Sequence, residues 1–437
     1  MQILEDIQDG DWKRLEVHAR RVRILSLQNL PTTISPYVYT RIRGKQTGPL
    51  LPALQELRIP DGNTLDLAGA YLSLDSNLER VEINNSCMNN TTFFRPFMCA
   101  LREDCPHLRH IILRGTRAIN PKSILKFNDL RTLELRLSGT YLSPSFMEAL
   151  GNLGSLRDLT LHVGSSTPSS VEPPIRPENP EPISSFAARK FKHLRSLRMV
   201  GDVLSIHPLL EFMNLTSLAH FSLEEASPSN GIPTAQFWTN CFSSVSVSTF
   251  LETVDIKQYP TRNHGHNGYS LSAFCIHPLL QLQSLSNLII LEASFSVTDS
   301  ELAGIASAFP TLEKLVLPPV FHNACPTIAS LLHLSNNCPQ LDELKMCLSL
   351  TGNIQQTMSE MSQKIRLIPR DHDHSLRVLY ISSTFGRLDH KALIQFAEFL
   401  NVAFPRMVTL EGYGPNAPNE SWSQVYDLHV MLQRRSL

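Results

Sequence analysis

The chain repeats one short arrangement of apolar and polar residues, in which the first, fourth and sixth of six positions are apolar. Each such segment predicts a β-strand, because the fourth and sixth side chains point to the same side of an extended chain. Fourteen segments fit this pattern, and they begin 22 to 38 residues apart. Their first residues are Val22, Leu54, Leu78, Leu108, Leu130, Leu156, Leu194, Leu218, Leu251, Leu288, Leu312, Leu341, Leu376 and Met407. A series this long indicates one repeated structural unit.

Stretches with the apolar spacing of helices lie between these segments. In the stretch that begins at Thr298, Glu301 completes a capping box and the following apolar residues recur at helical spacing. The stretches from Ile206 and from Ile276 each place a proline two residues later, where it is predicted to lie in the first turn of a helix. Each unit is therefore predicted to contain a strand, a loop, a helix and a return segment.

A single strand–helix unit cannot bury both of its apolar faces, so neighbouring units are expected to stack. Six of the spacings fall within the 20–29-residue period of leucine-rich repeats, and the longer spacings indicate loop insertions. The predicted fold class is α/β. It is a single leucine-rich-repeat solenoid, a curved horseshoe of strand–helix units with a parallel sheet on its concave face.

The pattern divides the chain into three parts. Residues 1–21 are predicted to be an N-terminal capping segment, residues 22–420 the solenoid of about 14 irregular units, and residues 421–437 a C-terminal capping helix. The Pro- and Ser-rich stretch 164–185 cannot pack into a core and is predicted to be a disordered insertion. A tolerated insertion is favoured there, and a docking or phosphorylation site stays an alternative.

Two similar stretches, Cys105–Gly115 and Cys338–Leu348, open with Cys-Pro and continue into an apolar segment. The same position is Phe-Pro at Phe309 and at Phe404. The proline indicates that a helix has ended and that the chain turns toward its strand. Cys and Phe at this position are interpreted as packing residues, since no His or Cys partner recurs at the spacing of metal ligands.

Several of these stretches resemble known repeats. The segments "SVTDSELAGIASAFPTLEKLVL" from Ser296 and "CPQLDELKM" from Cys338 resemble the cysteine-containing leucine-rich repeats of F-box proteins. The segments "DWKRLEVHARRVRILSL" from Asp11 and "PLLPALQELRI" from Pro49 resemble the region that follows the F-box in fungal-type members.

In that family the F-box binds the Skp adaptor of a cullin–RING ubiquitin ligase, and the repeats capture the substrate. Too few residues precede Asp11 to form the helical F-box. The resemblance therefore implies that residues 1–21 are the remnant that follows a missing F-box. It implies that the Skp adaptor and a cullin become partners only if an F-box is restored.

Composition and charge narrow the function. Lys and Arg number 39 against 40 Asp and Glu, a formal net charge of −1, which offers no long-range field for nucleic acid or an anionic membrane. No run of 18 apolar residues occurs, so a membrane span is not expected either. Eight cysteines in 437 residues are too sparse for a disulfide scaffold, and this favours a reduced cytoplasmic or nuclear location.

Catalytic chemistry has little support in the sequence. The segments "RNHGHNG" at Arg262–Gly268 and "DHDH" at Asp371–His374 are interpreted as solvated loops and not as zinc or catalytic sites. No nucleotide-binding, hydrolase or metalloprotease motif occurs. We expect no metal, no cofactor and no enzymatic activity, and an enzyme is a distant alternative.

The third, fifth and seventh positions of each unit are expected to line the concave face. They hold eight basic and nine acidic residues, and this mixture favours a protein or peptide partner over a polyanion. Arg114 and Arg136 occupy equivalent positions of adjacent units and are the first candidates for a binding hot spot. The predicted partner-binding residues are Arg58, Arg80, Glu82, Arg114, Glu134, Arg136, Asp158, His162, Arg198, Asp255, Lys257, Lys314, Glu343, Lys345 and Tyr380.

The predicted function is noncatalytic protein recognition, resembling that of the substrate-binding region of an F-box protein. The alternative is a free-standing interaction scaffold with no link to ubiquitin.

Overall fold

The structure is a computed structural model that groups the chain into two compact units. It describes residues 9–27, 42, 44, 48–61, 67–115, 121–137, 142, 144–163, 191–225, 234–258, 271–291, 295–319, 325–350, 356–357, 360–361, 363, 374–383, 389–414 and 419–436. The first unit comprises residues 1–201 and 212–214, and the second comprises residues 202–211 and 215–437. Each unit is described by itself.

Seven parallel strands lie in each unit. In the first they are β1 Ile24–Ser26, β2 Glu56–Ile59, β3 Arg80–Ile83, β4 His110–Gly115, β5 Thr132–Leu137, β6 Asp158–Val163 and β7 Ser196–Gly201. In the second they are β8 His220–Glu225, β9 Thr253–Gln258, β10 Asn287–Leu291, β11 Lys314–Val316, β12 Glu343–Leu348, β13 Val378–Ser383 and β14 Thr409–Gly412. Within a unit, each strand pairs with the strand that follows it in sequence. Each unit has leucine-rich-repeat architecture, and the predicted α/β fold class, strand–helix units with a parallel sheet, is confirmed.

The predicted register is confirmed in every repeat but one. Each strand begins two residues after the predicted first apolar residue, except in the tenth repeat. There Leu288 pairs with Val254 and with Leu315, the fourth residues of the neighbouring repeats. The tenth repeat therefore begins at Leu285 and not at Leu288.

Helices connect the strands. In the first unit they are α1 Asp9–Ala19, α2 Leu67–Leu72, α3 Asn85–Asn89, α4 Thr91–Asp104 and α5 Pro144–Gly151. In the second they are α6 Val203–Glu211, α7 Thr234–Val245, α8 Asp299–Ala308, α9 Ala329–Asn337, α10 His390–Ala403 and α11 Asn419–Ser436. Among the described connections, Pro121–Lys126 in the first unit and Ala273–Gln281 in the second are 3₁₀-helices.

The prolines of two connections lie deeper in their helices than predicted. Helix α6 begins at Val203, so Pro208 falls in its second turn and not in its first. The corresponding stretch around Pro278 is a 3₁₀-helix, not an α-helix. The capping box of α8 is present as predicted: the Thr298 N–H donates to Glu301 Oε2 at 2.7 Å, and the Glu301 N–H donates to Thr298 Oγ1 at 3.4 Å.

The Cys or Phe of each Cys-Pro and Phe-Pro pair is the C-cap residue of its helix, with the same hydrogen bonding in all four cases. Cys105, Phe309, Cys338 and Phe404 each donate their N–H to the carbonyl four residues earlier, and all four side chains are fully buried. Their own carbonyls accept the N–H of the first apolar residue of the next strand segment. The Cys338 thiol also lies 3.5 Å from the Ala306 carbonyl of the preceding repeat. Their interpretation as packing residues is confirmed.

The first and fourth residues of the repeats form the core of each unit. Leu57, Val81, Ile111 and Leu133 follow one another on adjacent strands and are completely buried. Burial of each such side chain contributes about 1.5–3 kcal/mol before conformational entropy is counted.

Backbone hydrogen bonds fix the stacking of the repeats. The carbonyl of the second residue in one repeat accepts two N–H groups, from the second and third residues of the next repeat. Arg109 O, for example, accepts from Arg131 N at 2.8 Å and from Thr132 N at 3.0 Å. The same arrangement recurs along both units, at Gln55 and Arg131 in the first and at Glu252 and Asp342 in the second.

Helix α11 covers the last strand of the second unit. Trp422, Val425 and His429 are buried, and the Tyr426 hydroxyl donates to Val408 O at 2.8 Å. Val408 is the second residue of the last repeat, so its carbonyl accepts this hydroxyl where earlier repeats accept backbone N–H groups. Helix α1 in the first unit is mostly exposed, and Leu15 and Val17 are solvent-accessible.

The predicted boundaries at residues 21 and 420 stay predictions. The insertion at 164–185 and the segment Arg262–Gly268 lie outside the described residues. No described helix is long and apolar enough to cross a membrane.

The interpretation of Asp371–His374 as a solvated loop is wrong for His374, the one residue of the four that the structure describes. Its side chain is fully buried, and Nδ1 accepts the Leu376 N–H at 3.1 Å. The ring also meets the Phe404 ring edge-on at 4.8 Å. His374 is therefore a core residue that orders the entry to β13.

Candidate protein-binding face

The third, fifth and seventh residues of the repeats lie on the side of the sheet opposite the core, and we call their described members the open sheet face. In β5, for example, the buried residues Leu133 and Leu135 alternate with the half-exposed residues Thr132, Glu134 and Arg136. All fifteen predicted partner-binding residues lie at these positions of their strands. Whether they bind a partner stays a prediction.

Arg114 connects three strands of the first unit. Its Nη1 lies 2.5 Å from Glu82 Oε1 on β3, and its Nε lies 3.2 Å from Glu134 Oε1 on β5. Glu134 also pairs with Arg136 Nε at 2.5 Å. The carboxylates are more buried than the arginines, whose side chains remain 35% and 38% exposed. Two of the five N–H donors of Arg114 are engaged, so the remaining donors can meet a partner.

A second cluster forms around Glu56 on β2. Glu56 Oε1 lies 2.8 Å from Arg58 Nε and 3.1 Å from Arg80 Nε. The hydrogen bond to Glu56, with its negative charge, raises the pKa of Arg58. These pairs hold both arginines over the sheet.

His110 lies on β4 between these two clusters. Burial and the positive charge of Arg80 lower the pKa of the His110 imidazole, so it is neutral at physiological pH. Asp158 accepts a hydrogen bond from Thr132 Oγ1 at 3.1 Å, and His162 and Arg198 occupy the neighbouring strands β6 and β7.

The second unit carries a corresponding cluster around Glu343. Glu343 contacts Lys314 Nζ at 2.5 Å and Lys345 Nζ at 3.2 Å. Burial opposes ionisation of Glu343, but the two lysines outweigh it and lower the pKa of the carboxyl. Lys345 Nζ also lies 4.3 Å from the centre of the Tyr380 ring, a cation–π distance. On β9, Lys257 pairs with Asp255 at 3.3 Å.

The corrected register changes the open sheet face in the second unit. With Leu285 as the first residue, the tenth repeat places Asn287, Ile289 and Leu291 on this face. The adjacent strand β11 places Val316 there, and its side chain is buried. The wrong register had placed Glu292 on the face, and Glu292 lies outside the described residues. The face is therefore apolar here, where the sequence predicted an acidic residue.

Sequence reasoning also missed a group of arginines outside the three positions it considered. Four consecutive repeats begin Leu-Arg, so the second position is arginine in each of them. These residues are Arg109, Arg131, Arg157 and Arg195. The repeated dipeptide was a visible signal, but its significance depends on knowing that the four positions are neighbours in space.

The face consists mainly of charged side chains that pair with one another. Among the residues that the structure describes, no group of three or more His, Cys, Asp or Glu side chains could hold a metal ion. Charged side chains held by mutual ion pairs and partly exposed can exchange those contacts for a partner's polar groups.

Similarity of this chain to known proteins is found among solved structures. The chain matches no family model and no curated protein sequence. It is similar to a chain in the crystal structure of the yeast Rad7 and Elc1 complex, with 14% identity and a TM-score of 0.35. The match covers 83% of this chain and 77% of that chain. At this identity and TM-score the likeness defines neither a family nor a function.

Proposed function

We propose that this protein recognises another protein through the open sheet face, without catalysis. One observation carries the proposal: charged and aromatic side chains at equivalent positions of successive strands are prearranged by ion pairs and remain partly exposed. Such prearrangement lowers the cost of ordering side chains upon binding. The mixed signs of the charges favour a protein surface, because a polyanion would require a single sign.

A narrower form of the proposal makes this face the substrate-binding region of a ubiquitin ligase. It rests on the resemblance of the segments from Ser296 and from Cys338 to the repeats of F-box proteins. Such a role would place the protein in the cytoplasm or the nucleus.

Affinity purification of the chain from a eukaryotic lysate, followed by mass spectrometry, tests the general proposal. The test variant is Arg114→Glu with Arg136→Glu, which reverses charge at the centre of the face. A matched control is Arg95→Glu with Arg102→Glu, because both residues lie on α4 and the Arg102 side chain is 38% exposed. We expect the face variant to lose proteins that the control variant and the unaltered chain both recover. Equal recovery by all three would contradict the proposal.

The same purification tests the narrower form. Recovery of a Skp adaptor and a cullin together with the lost proteins is expected if the chain acts within a ubiquitin ligase. Loss of partners at the face without any adaptor or cullin would leave a free-standing interaction scaffold.

A further inference from the structure

Four arginines form a continuous row across β4–β7 in the first unit. Arg131 N donates to Arg109 O, Arg157 N donates to Arg131 O, and Arg195 N donates to Arg157 O, each at 2.8 Å. The four residues are therefore immediate neighbours, about 4.8 Å apart along the sheet. We call them the arginine row.

The row carries unbalanced positive charge. Arg109 at one end pairs with Glu79 at 2.9 Å. The side chains of Arg131, Arg157 and Arg195 are exposed, and none of the three forms an ion pair within the described ranges. Like charges on adjacent strands repel one another, so an anionic ligand that bridges them would be favoured.

The row is specific to this part of the chain. In the second unit the same repeat position holds, in order, Ala219, Glu252, Ser286, Glu313, Asp342, Arg377 and Val408. The arginine of this set, Arg377, pairs with Asp342 through two hydrogen bonds of 2.5 and 3.1 Å. A general excess of arginine at the second position therefore does not explain the row.

We infer that the arginine row binds an extended acidic segment of the partner protein. This inference rests on the proposed function and deepens it. Side chains at alternate residues of an extended peptide point to the same side and lie about 6.7 Å apart, so three such Asp or Glu residues span about 13 Å and can meet the guanidinium groups of a row about 14 Å long.

A peptide fits this surface better than a nucleic acid does. The row offers at most four cations, and affinity for nucleic acid depends on the number of phosphates neutralised. The adjoining open sheet face carries the carboxylates of Asp158 and Glu134, which would repel a phosphate backbone that extends beyond the row.

Fluorescence anisotropy with a synthetic probe tests the inference on the full chain. The probe is a fluorescein-labelled peptide of about nine residues in which glutamate alternates with serine, so that the glutamates share one side. The test variant is Arg131→Glu, Arg157→Glu and Arg195→Glu together. The control reverses Lys13, Arg14 and Arg95, three exposed residues on α1 and α4. We expect Kd to rise at least about tenfold in the test variant and to stay unchanged in the control.

A second variant keeps the test valid if the triple reversal unfolds the unit. Replacing the same three arginines with lysine keeps the charge and loses the two-pronged geometry, so we expect Kd to rise by about two- to fivefold. Circular dichroism of each variant establishes that it is folded. Equal binding of the probe to the unaltered chain and to a folded test variant would overturn the inference.

Two further results separate the possible outcomes. If oligothymidylate of equal charge binds the row more tightly than the peptide, the row is a nucleic-acid site and the inference fails. If probe binding does not depend on the row but Arg114→Glu with Arg136→Glu still loses partners, the inference fails and the proposed function stands. If the row binds the probe but no face variant loses partners, the proposed function fails and the row remains an acidic-peptide site.

Discussion

At the scale of single residues, Gly201 is the described glycine at which a larger side chain is least tolerated. It ends β7 with a φ of +153°, and a Cβ at this position would lie 2.1 Å from Val163 O on the adjacent strand. Both the backbone conformation and the approach of the neighbouring carbonyl therefore require glycine.

Replacement of Gly201 with alanine is expected to destabilise the first unit by about 1–3 kcal/mol from backbone strain, with the steric clash in addition. Urea denaturation followed by circular dichroism measures the change. Gly154→Ala is the control, because nothing lies within 4 Å of the Cβ that it adds. Equal midpoints for the two variants would contradict the expectation.

Cys105 and Cys338, which follow the last turns of their helices, are expected to differ in thiol reactivity from the exposed Cys99. Burial raises the pKa of Cys105 and of Cys338 to about 12, whereas Cys99 lies exposed on α4. At pH 8 only about one in ten thousand of the buried thiols is ionised, and the thiolate is the reactive form.

Labelling of the folded protein with a maleimide at pH 8 is therefore expected to modify Cys99 first. Cys105 and Cys338 are expected to react only after urea unfolds the chain. Peptide mass spectrometry at successive times measures the order. Early modification of Cys338 would show that its helix end is open in solution.

At the scale of elements, the strand positions were readable from the sequence because the repeat carries three apolar residues at fixed spacing. The predicted start of the tenth repeat was wrong because the run from Leu285 to Ala293 matches the apolar pattern twice, beginning at Leu285 and at Leu288. Only pairing with Val254 and Leu315 decides between them. Local sequence cannot supply that information.

Other residues were misread for a related reason. The polar segment Asp371–His374 has the composition of a loop, and its last residue is buried against Phe404, thirty residues further along the chain. The arginine row was visible only as a repeated Leu-Arg dipeptide, and the strand pairing shows that its members are neighbours. The ion pairs of Arg114 required the same knowledge, since Glu82 and Glu134 belong to different repeats.

Helix α11 makes the stability of the second unit depend on pH. His429 is fully buried on this helix, and burial lowers the pKa of its imidazole below the ordinary value of 6.5. In the unfolded chain the imidazole titrates near 6.5 and takes up a proton first as the pH falls. The contribution of His429 to the free energy of unfolding is therefore fully present above about pH 6.5. It declines as the pH falls from there toward the folded-state pKa of the imidazole.

Replacement of His429 with glutamine is expected to reduce this acid-side decline. Urea midpoints of the unaltered chain and of the variant, compared at pH 7.5 and 5.5, measure the difference. The exposed His277→Gln serves as control and is expected to keep the decline. If His429→Gln and the unaltered chain lose the same stability, another group causes the acid sensitivity.

At the scale of the whole molecule, the first repeat of the first unit and the last repeat of the second unit are covered to different extents. Helix α11 buries Trp422 and Val425 and satisfies the Val408 carbonyl of the last strand. Helix α1 buries Ala19 among its described side chains and leaves Leu15 and Val17 exposed beside the first strand. The terminal repeats of a stacked array are stable only as far as their outer faces are covered.

Amide hydrogen exchange is expected to reflect this difference. The amides of α1 and β1 should exchange fastest in the first unit, those of β4–β6 slowest, and those of β14 should be protected by α11. Mass spectrometry of peptic fragments measures the order. Protection of β1 equal to that of β5 would show that the first repeat is covered in solution.

The doubly accepting carbonyl that recurs at the second repeat position within each unit limits how this chain can change in length. Because every such bond joins only adjacent repeats, a duplicated repeat would widen the open sheet face by about 4.8 Å and leave the other contacts intact. The connections can differ freely, as the 38-residue interval from Leu156 to Leu194 and the 22-residue interval from Leu108 to Leu130 demonstrate. A single residue inserted between the first and fourth positions would instead turn the leucines of that strand toward solvent. The strand pairing therefore tolerates whole added repeats and altered connections better than small insertions within the strands.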